Sequence, residues 1–540
     1  MHALDPNPPT AVQRQPSRHL LRWVTAPLLI FAVSLGIAAE YAIHHAEPIL
    51  RRRIVDTLSA RFHTQAQLAA LHITVLNGFG VRGEGLVIPF TSDSDAPLLQ
   101  IKSFEFHTGL SSLLRSPTRV DTVFVQGLQF NLPPKGERPP LRDNSQQHKH
   151  ASFVVDRIVC ADATLVIETN KPGKVPLEFD IHQLVLTNVG PGEPFHFTAN
   201  LVNPKPVGNI ASTGTFGPFK LDSPADTPVS GQYKFTDADL STTKGITGIL
   251  SSTGIYGGLL DNIAVDGETD TPNFALDISD HALPLHTTFH AIVDGTTGNV
   301  TLAPVHALLA HSAFTAEGSI TRTKGVPGHD IELNVTMDQA HIEDFLELGF
   351  KTEPPLMNGA LRMTARLSIP PGKIRVAEKM HLNGDFHIVN ATFNNPRFQQ
   401  KVDMLSLRAE GQPKLANPDG AAGNTVASSM SGHVQAGDGA LTVTNLEYDL
   451  PGAQVLLDGR YTMDGKTFDF RGLARTKATI SQMTTGYKSA LLKPFNRFFS
   501  KNGAGAQIPI KITGTNSAPH FGPDFRDKSR PQFDLPPPPQ

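Results

Sequence analysis

A single cysteine, Cys160, in 540 residues excludes any disulfide within the chain. C-x-x-C pairs are therefore missing too, and neither G-x-S-x-G nor H-E-x-x-H occurs. The nucleophile elbow of a hydrolase and the helical zinc site of a metalloprotease thus have no carrier. Lys and Arg (47) nearly balance Asp and Glu (50), the formal charge is −3, and no long basic run occurs. A nucleic-acid partner needs a basic footprint, and no long consecutive run of Lys and Arg supplies one. Trp occurs once and Tyr six times against 31 Phe. Most aromatic surface therefore lacks a polar handle and suits packing better than recognition by hydrogen bonds.

Two stretches imitate nucleotide loops. Gly465-Lys466-Thr467 has the ending of a Walker A motif, but Arg460 stands where its first glycine belongs. Asp464-Gly465 lies between the strand-like runs VLLDGRYTM and TFDFRG, which reads as a hairpin turn. In NGAGAQIPIKIT, Gly503 and Gly505 follow a helical pattern and precede a strand with Ile508, Ile510 and Ile512 on one face. A dinucleotide fingerprint needs the reverse order, so these glycines release the chain from helix into strand. Pro509 has no N–H to donate and suits an edge or outward position. His281, His286 and His290 are close in sequence, but on a strand 286 and 290 share a face that 281 does not. Glu343 and Asp344 read as solvated helix residues. No catalytic residue, metal or other cofactor is expected.

What is present begins with one uncharged run from Trp23 to Ala39. Continued to Tyr41, Ala42 and Ile43 as a helix, it spans about 30 Å, enough for a bilayer. A transmembrane helix is expected over 23–45, after a cytoplasmic segment 1–22. Leu28, Leu29, Ile30, Phe31 and Leu35 form its body, with Trp23 and Tyr41 at the interfaces. The alternative is a cleaved signal peptide, for which Gly36, Ala38 and Ala39 supply small residues. Residues 46–70 read as an amphipathic helix with Ile49, Ile54, Leu58 and Phe62 on one face. It either lies on a membrane, with Arg51, Arg52 and Arg53 at the headgroups, or caps the following sheet.

From 71 to 480 the period is two. FHFTANLV sets Phe195, Phe197 and Leu201 against His196, Thr198 and Asn200; DIELNVTMD sets Leu333 and Val335 against Asn334 and Thr336. LRMTARLSI places Leu361, Met363 and Leu367 opposite Arg362, Thr364 and Arg366. Such alternation predicts antiparallel sheet with one face in water. Turns are expected at the Asn-Gly or Asp-Gly pairs beginning at Asn77, Asp294, Asn383 and Asp464. Exposed loops are expected over 133–151 and 411–432, a short helix over 341–349, and a longer one over 481–501 interrupted by Pro494. The tail 526–540 is proline-rich. The expected fold is mainly β: long, curved antiparallel sheet forming an apolar groove, with an N-terminal transmembrane helix and a few short helices. The helices are too few to cover the apolar face, which must meet another sheet, helices or a ligand. Phe195, Phe197, Leu201, Leu333, Val335, Leu361, Met363 and Leu367 are candidates for a lipid-bearing floor, or alternatively for an ordinary sandwich core.

The run SQMTTGYKSALLKPFNRFFSKNGAGAQIPIKITGTNSAPHFGPDF, within 481–525, resembles the carboxyl-terminal region of AsmA-like proteins of the bacterial cell envelope. The N-terminal span, the arginine-rich helix, LLRSPTRVDTVFVQGLQFNLPP and FHFTANLVNPKPVGNIASTGTFGPF are similar as well. The resemblance implies a single-pass inner-membrane protein, its bulk periplasmic, related to bridge-like lipid carriers. Its partners would be phospholipid or another envelope lipid, the inner membrane and other envelope proteins. The expected function is to bind and conduct lipid, contributing to outer-membrane assembly or lipid homeostasis. The alternative is a non-catalytic scaffold that recruits envelope partners; a hydrolase comes third, for want of a nucleophile.

Overall fold

Period-two alternation becomes strand almost wherever it occurs. The computed structural model describes residues 47–524 apart from 57, 60–63, 75–78, 90–96, 109–117, 133–152, 168–176, 191, 219–223, 323–327, 373, 417–424, 438, 463–466, 501–504 and 516–517. The expected transmembrane span, the segment before it, the loop 133–151 and the tail 526–540 lie outside the described residues. Of the described residues 65% are strand, so helices can cover only a fraction of the sheet.

Twenty-four strands join in one sheet. With two exceptions each strand pairs antiparallel with the next in the chain, beginning with Gln67–Thr74 on Phe79–Pro89 and ending with Ala506–Gly514 on Pro519–Pro523. The two-residue strand Ile246–Thr247 pairs only with Asn262–Leu276, so Pro228–Asp239 meets Ile249–Leu259 directly. The other exception corrects the expectation of a purely antiparallel sheet. Thr118–Leu132 and Phe153–Ile167 run parallel. A parallel pair needs a return connection of a dozen or more residues, and 133–152 is long enough to supply one. At roughly 4.8 Å per strand, the ladder is about 105 Å long from first to last strand.

Three expected boundaries move. Asn383-Gly384 is no turn but lies inside the strand His381–Phe393. A Cβ on Gly384 would stand 2.4 Å from the Thr364 carbonyl oxygen, so the glycine serves close approach of two strands. The end of the expected loop 411–432 is strand, because Ser428–Gly437 pairs on both sides and buries Met430 and Val434. The expected helix 46–70 is described as helix at 47–56 and 58–59, and a strand begins at Gln67. Asp294-Gly295 does turn the chain: Asp294 Oδ1 accepts the N–H groups of Thr296 at 2.7 Å and Thr297 at 3.1 Å. Asn77 and Asp464 lie outside the described residues, between strands that pair antiparallel.

The helices sit toward the two ends of the ladder. Leu50, Ile54, Val55 and Leu58 pack against a cluster that includes Leu68, Val81, Phe104 and Cys160. At the other end, Asn395 caps the helix Pro396–Ala409 by accepting the N–H groups of Arg397 and Phe398 at 3.0 and 3.2 Å. Val402 and Ala409 of that helix join Met337, Leu361, Ile388, Met430 and Val455 in a second cluster. Phe345 and Leu346 of the helix Ile342–Gly349 pack on the same cluster. Phe350, just beyond, reaches Tyr461 at 5.2 Å between ring centroids.

Candidate functional site

Directly opposed residues in a ladder share a face of the sheet. Phe197 stands opposite Gly214, which faces Gly231, then Tyr256 and Val265. The row continues through Ala291, Leu302 and Gly318 to Leu333. Beyond Leu333 come Leu367, Leu382, Ala436, Leu441, Tyr461 and Phe468. In the other direction Phe197 leads to Leu186, Ile158, Val123, Phe106, Val81 and Ile73. Twenty-one strands contribute one residue each, and no member carries a charge. The opposite face reads differently: Glu317, Asn334, Arg366, Asn383, Gln435 and Thr442 also oppose one another in turn. Glu332 and Arg366 form an ion pair there at 2.9 Å. The apolar row stays in phase although the ladder slips at bulges such as those between Leu302 and Val305 and between Met337 and Ala340.

The apolar face is covered unequally. The buried members of the two clusters come from residues 68–163 and 337–474. Between 195 and 321 the buried apolar residues are Leu283, Leu309 and six alanines, of which Ala199, Ala291 and Ala316 are examples. Larger side chains in that centre, including Phe197, Leu201, Phe235, Val265, Phe289 and Leu302, are only half-buried. No helix of the described residues packs over them. Cover resumes one strand later, where Phe314 meets Phe345 of the helix Ile342–Gly349 at 6.0 Å between ring centroids.

The eight floor candidates therefore divide. Phe195, Phe197 and Leu201 lie half-buried in the uncovered centre, with Phe195 tilted on Phe216 at 5.4 Å. Leu333 and Leu367 oppose each other, half-buried, beside the second cluster. Val335 and Met363 pack against that cluster, and Leu361, 3% exposed, is one of its buried members.

One feature of the face escaped the sequence reading. Aromatic rings lie over glycines on neighbouring strands. A Cβ on Gly231 would come 2.6 Å from the Tyr256 hydroxyl oxygen, and one on Gly254 would come 2.8 Å from the Tyr233 ring. The same pairing recurs at Gly83 with Phe104 and at Gly459 with Phe470. Glycine at inward positions of alternating strands is the signal that could have shown it. Tyr256 and Tyr233 hydrogen-bond Ser212 and Ser252 at 2.8 and 3.0 Å. Burial raises both phenol pKa values, partly offset by those serines.

Arg51 donates through Nε to the Leu68 carbonyl at 3.0 Å, and Glu47 accepts the Ile73 N–H at 2.9 Å. The helix thus ties to the sheet's first strand and satisfies part of its open edge, which favours the capping reading. Arg52 and Arg53 are exposed. Trp23, Leu28, Leu29, Ile30, Phe31, Leu35 and Tyr41 lie outside the described residues, among which no helix is long and apolar enough to cross a membrane. His286 and His290 pair with Asp270 and Asp266 on the polar face, while His281 reaches the Glu347 carbonyl at 3.0 Å. Among the described residues no three His, Cys, Asp or Glu side chains are grouped to hold a metal. A small crevice at the Met337/Ala340 bulge is lined by Asp338, His341, Arg362 and His387, with no serine, threonine or cysteine.

Fold and site together define a class: a mainly β chain built on one long mixed sheet, with a charge-free row crossing twenty-one strands on one face and polar and charged residues on the other. No family model, curated protein or solved structure matches the chain.

Proposed function

We propose that the chain binds lipid on its apolar face, with acyl chains lying against the central strands between Phe195 and Leu302. On this reading it is a membrane-anchored cell-envelope protein that conducts lipid along the sheet and performs no chemistry. The observation that supports it is the charge-free row across twenty-one strands, whose large apolar side chains between Phe197 and Leu302 belong to neither of the two buried clusters on which the described helices pack. A guest that covers half-buried apolar side chains gains about 25 cal/mol for each Å² removed from water. An acyl chain can follow the row because every strand offers it the same chemistry, so no step along the sheet requires stripping water from a charge. The likeness to AsmA-like proteins points the same way and carries the proposal of an inner-membrane anchor and a periplasmic location.

The alternation of the strands supplies the test. A photoreactive phenylalanine analogue placed at Phe197 or Phe289 in the full chain should form adducts with lipid acyl chains, read by mass spectrometry. The same analogue at Thr198 or Thr288, on the polar face, should not. Crosslinks from 197 and 289 to other segments of this chain, or to a partner protein, would mean that the face is closed by protein. The scaffold reading would then replace this one.

A further inference from the structure

We infer that residues 487–498 form a docking surface for an anionic lipid bilayer. Tyr487, Leu491, Phe495 and Phe498 are 73%, 65%, 50% and 61% exposed. Their spacing of four, four and three places them on one face of the helical run Tyr487–Phe499, which is α-helical at both ends and 3₁₀ at Lys493–Phe495. The run is held from its other side. Asn496 donates to the Ser481 hydroxyl at 2.9 Å and accepts the Ser481 N–H at 3.1 Å, and Ser489 donates to the Ser481 carbonyl at 2.7 Å. The apolar side chains are therefore presented to solvent by a fixed support.

Charge selects the partner. Lys488, Lys493 and Arg497 flank the apolar side chains, and Arg497 lies over the Phe498 ring at 5.4 Å. Of the eight Lys and Arg between 470 and 523, where the sequence has no Asp or Glu, Arg475 is buried and Arg471 pairs with Asp469 and Asp524, while Lys488, Lys493 and Arg497 are exposed on the run itself. Aromatic and leucine side chains between cations, with no carboxylate within the run, match the interface of an anionic bilayer. The segment joins two of the last three strands, so it stands at the opposite end of the ladder from the helix at 47–59. The inference does not rest on lipid binding along the sheet, since a chain whose apolar face is filled by protein would present the same patch.

The test uses the full chain in nanodiscs of neutral phosphatidylcholine, with an Ala490→Cys substitution carrying an environment-sensitive dye. Ala490 is exposed within the run, whereas the native thiol, Cys160, is 2% exposed, so the label goes to position 490. Adding vesicles with 30% phosphatidylglycerol should shift the dye emission to the blue and raise it several-fold. Quenching by spin-labelled lipid placed only in those vesicles should follow. Neutral vesicles, or the K488E/K493E/R497E variant with anionic ones, should give at most a tenth of that response. L491S/F498S should abolish quenching and leave the circular dichroism spectrum unchanged. An unchanged emission spectrum with anionic vesicles overturns the inference, as does an equal response to neutral ones. So does a response to envelope proteins in the absence of added vesicles.

Discussion

Phe197→Asp and Leu361→Asp place the same charge on the same face of the sheet, in its uncovered and its covered part. Leu361 is 3% exposed inside the cluster that includes Val402 and Ala409. An unpaired carboxylate there is strongly disfavoured, and the cost approaches the whole stability of an ordinary domain, about 5–15 kcal/mol. Phe197 is half-buried and belongs to neither buried cluster. A carboxylate at 197 reaches water, so the loss is mainly the aromatic's buried area. If about 100 Å² of a phenylalanine's 150–250 Å² is withdrawn from water, that is about 2.5 kcal/mol at ~25 cal/mol/Å². In thermal melts followed by circular dichroism, Phe197→Asp should fold with a midpoint lowered by several degrees. Thr198→Asp should stay within about 0.5 kcal/mol of wild type, and Leu361→Asp should not fold. Val335→Asp and Met363→Asp, whose side chains pack on the same cluster, should resemble Leu361→Asp. Lipid retained by the folded variants then gives the functional reading: Phe197→Asp should lose it and Thr198→Asp should keep it. If Phe197→Asp unfolds as Leu361→Asp does, the centre of the face is closed. If it folds and keeps its lipid, the sheet does not carry the acyl chains at this strand.

Other expectations follow from individual contacts. Gly231→Ala should destabilise by about 1–3 kcal/mol in denaturant melts, because its Cβ would stand 2.4 Å from the Thr213 carbonyl oxygen and 2.6 Å from the Tyr256 hydroxyl. No loss of stability would show that the two strands separate easily. Asp344 is not the solvated helix residue expected from the sequence: 4% exposed, it accepts the Ser312 hydroxyl at 2.7 Å and the His311 N–H at 3.1 Å. Asp344→Ala should cost about 2–3 kcal/mol and loosen the helix Ile342–Gly349, read as faster hydrogen exchange across 342–350. Burial pushes the Cys160 thiol up from its ordinary 9.0 to about 11. Between those values the unfolded thiol ionises while the folded one keeps its proton. Its contribution is therefore complete below pH 9 and lost as pH rises to 11, by at most about 3 kcal/mol. Cys160→Ala should flatten the fall of stability over that window, and an unchanged slope would assign it to other groups.

Local alternation made the strands legible, since FHFTANLV, DIELNVTMD and LRMTARLSI each contain their own inward and outward sets. What they could not contain is phase. Phe197 and Leu333 are 136 residues apart in sequence, and they share a face because each of eight intervening pairings keeps its register. A one-residue slip at any of them would have turned the remaining strands over. Asn383-Gly384 misled for a related reason. The dipeptide favours a hairpin when it ends two runs, but here the strand continues through it and the glycine admits the backbone at Thr364. The parallel pair was hidden because its cause, the return through 133–152, leaves no mark on the alternation of either strand. Coverage was harder still. Leu361 and Phe197 belong to equally regular alternating runs, and the helices Ile342–Gly349 and Pro396–Ala409, packed on the cluster that holds Leu361, separate their environments. The same alternating pattern can thus build a closed core or an open floor. The choice rests on where the few helices land, so the stretch from 195 to 302, whose large apolar side chains lie outside both buried clusters, is where the lipid proposal is tested.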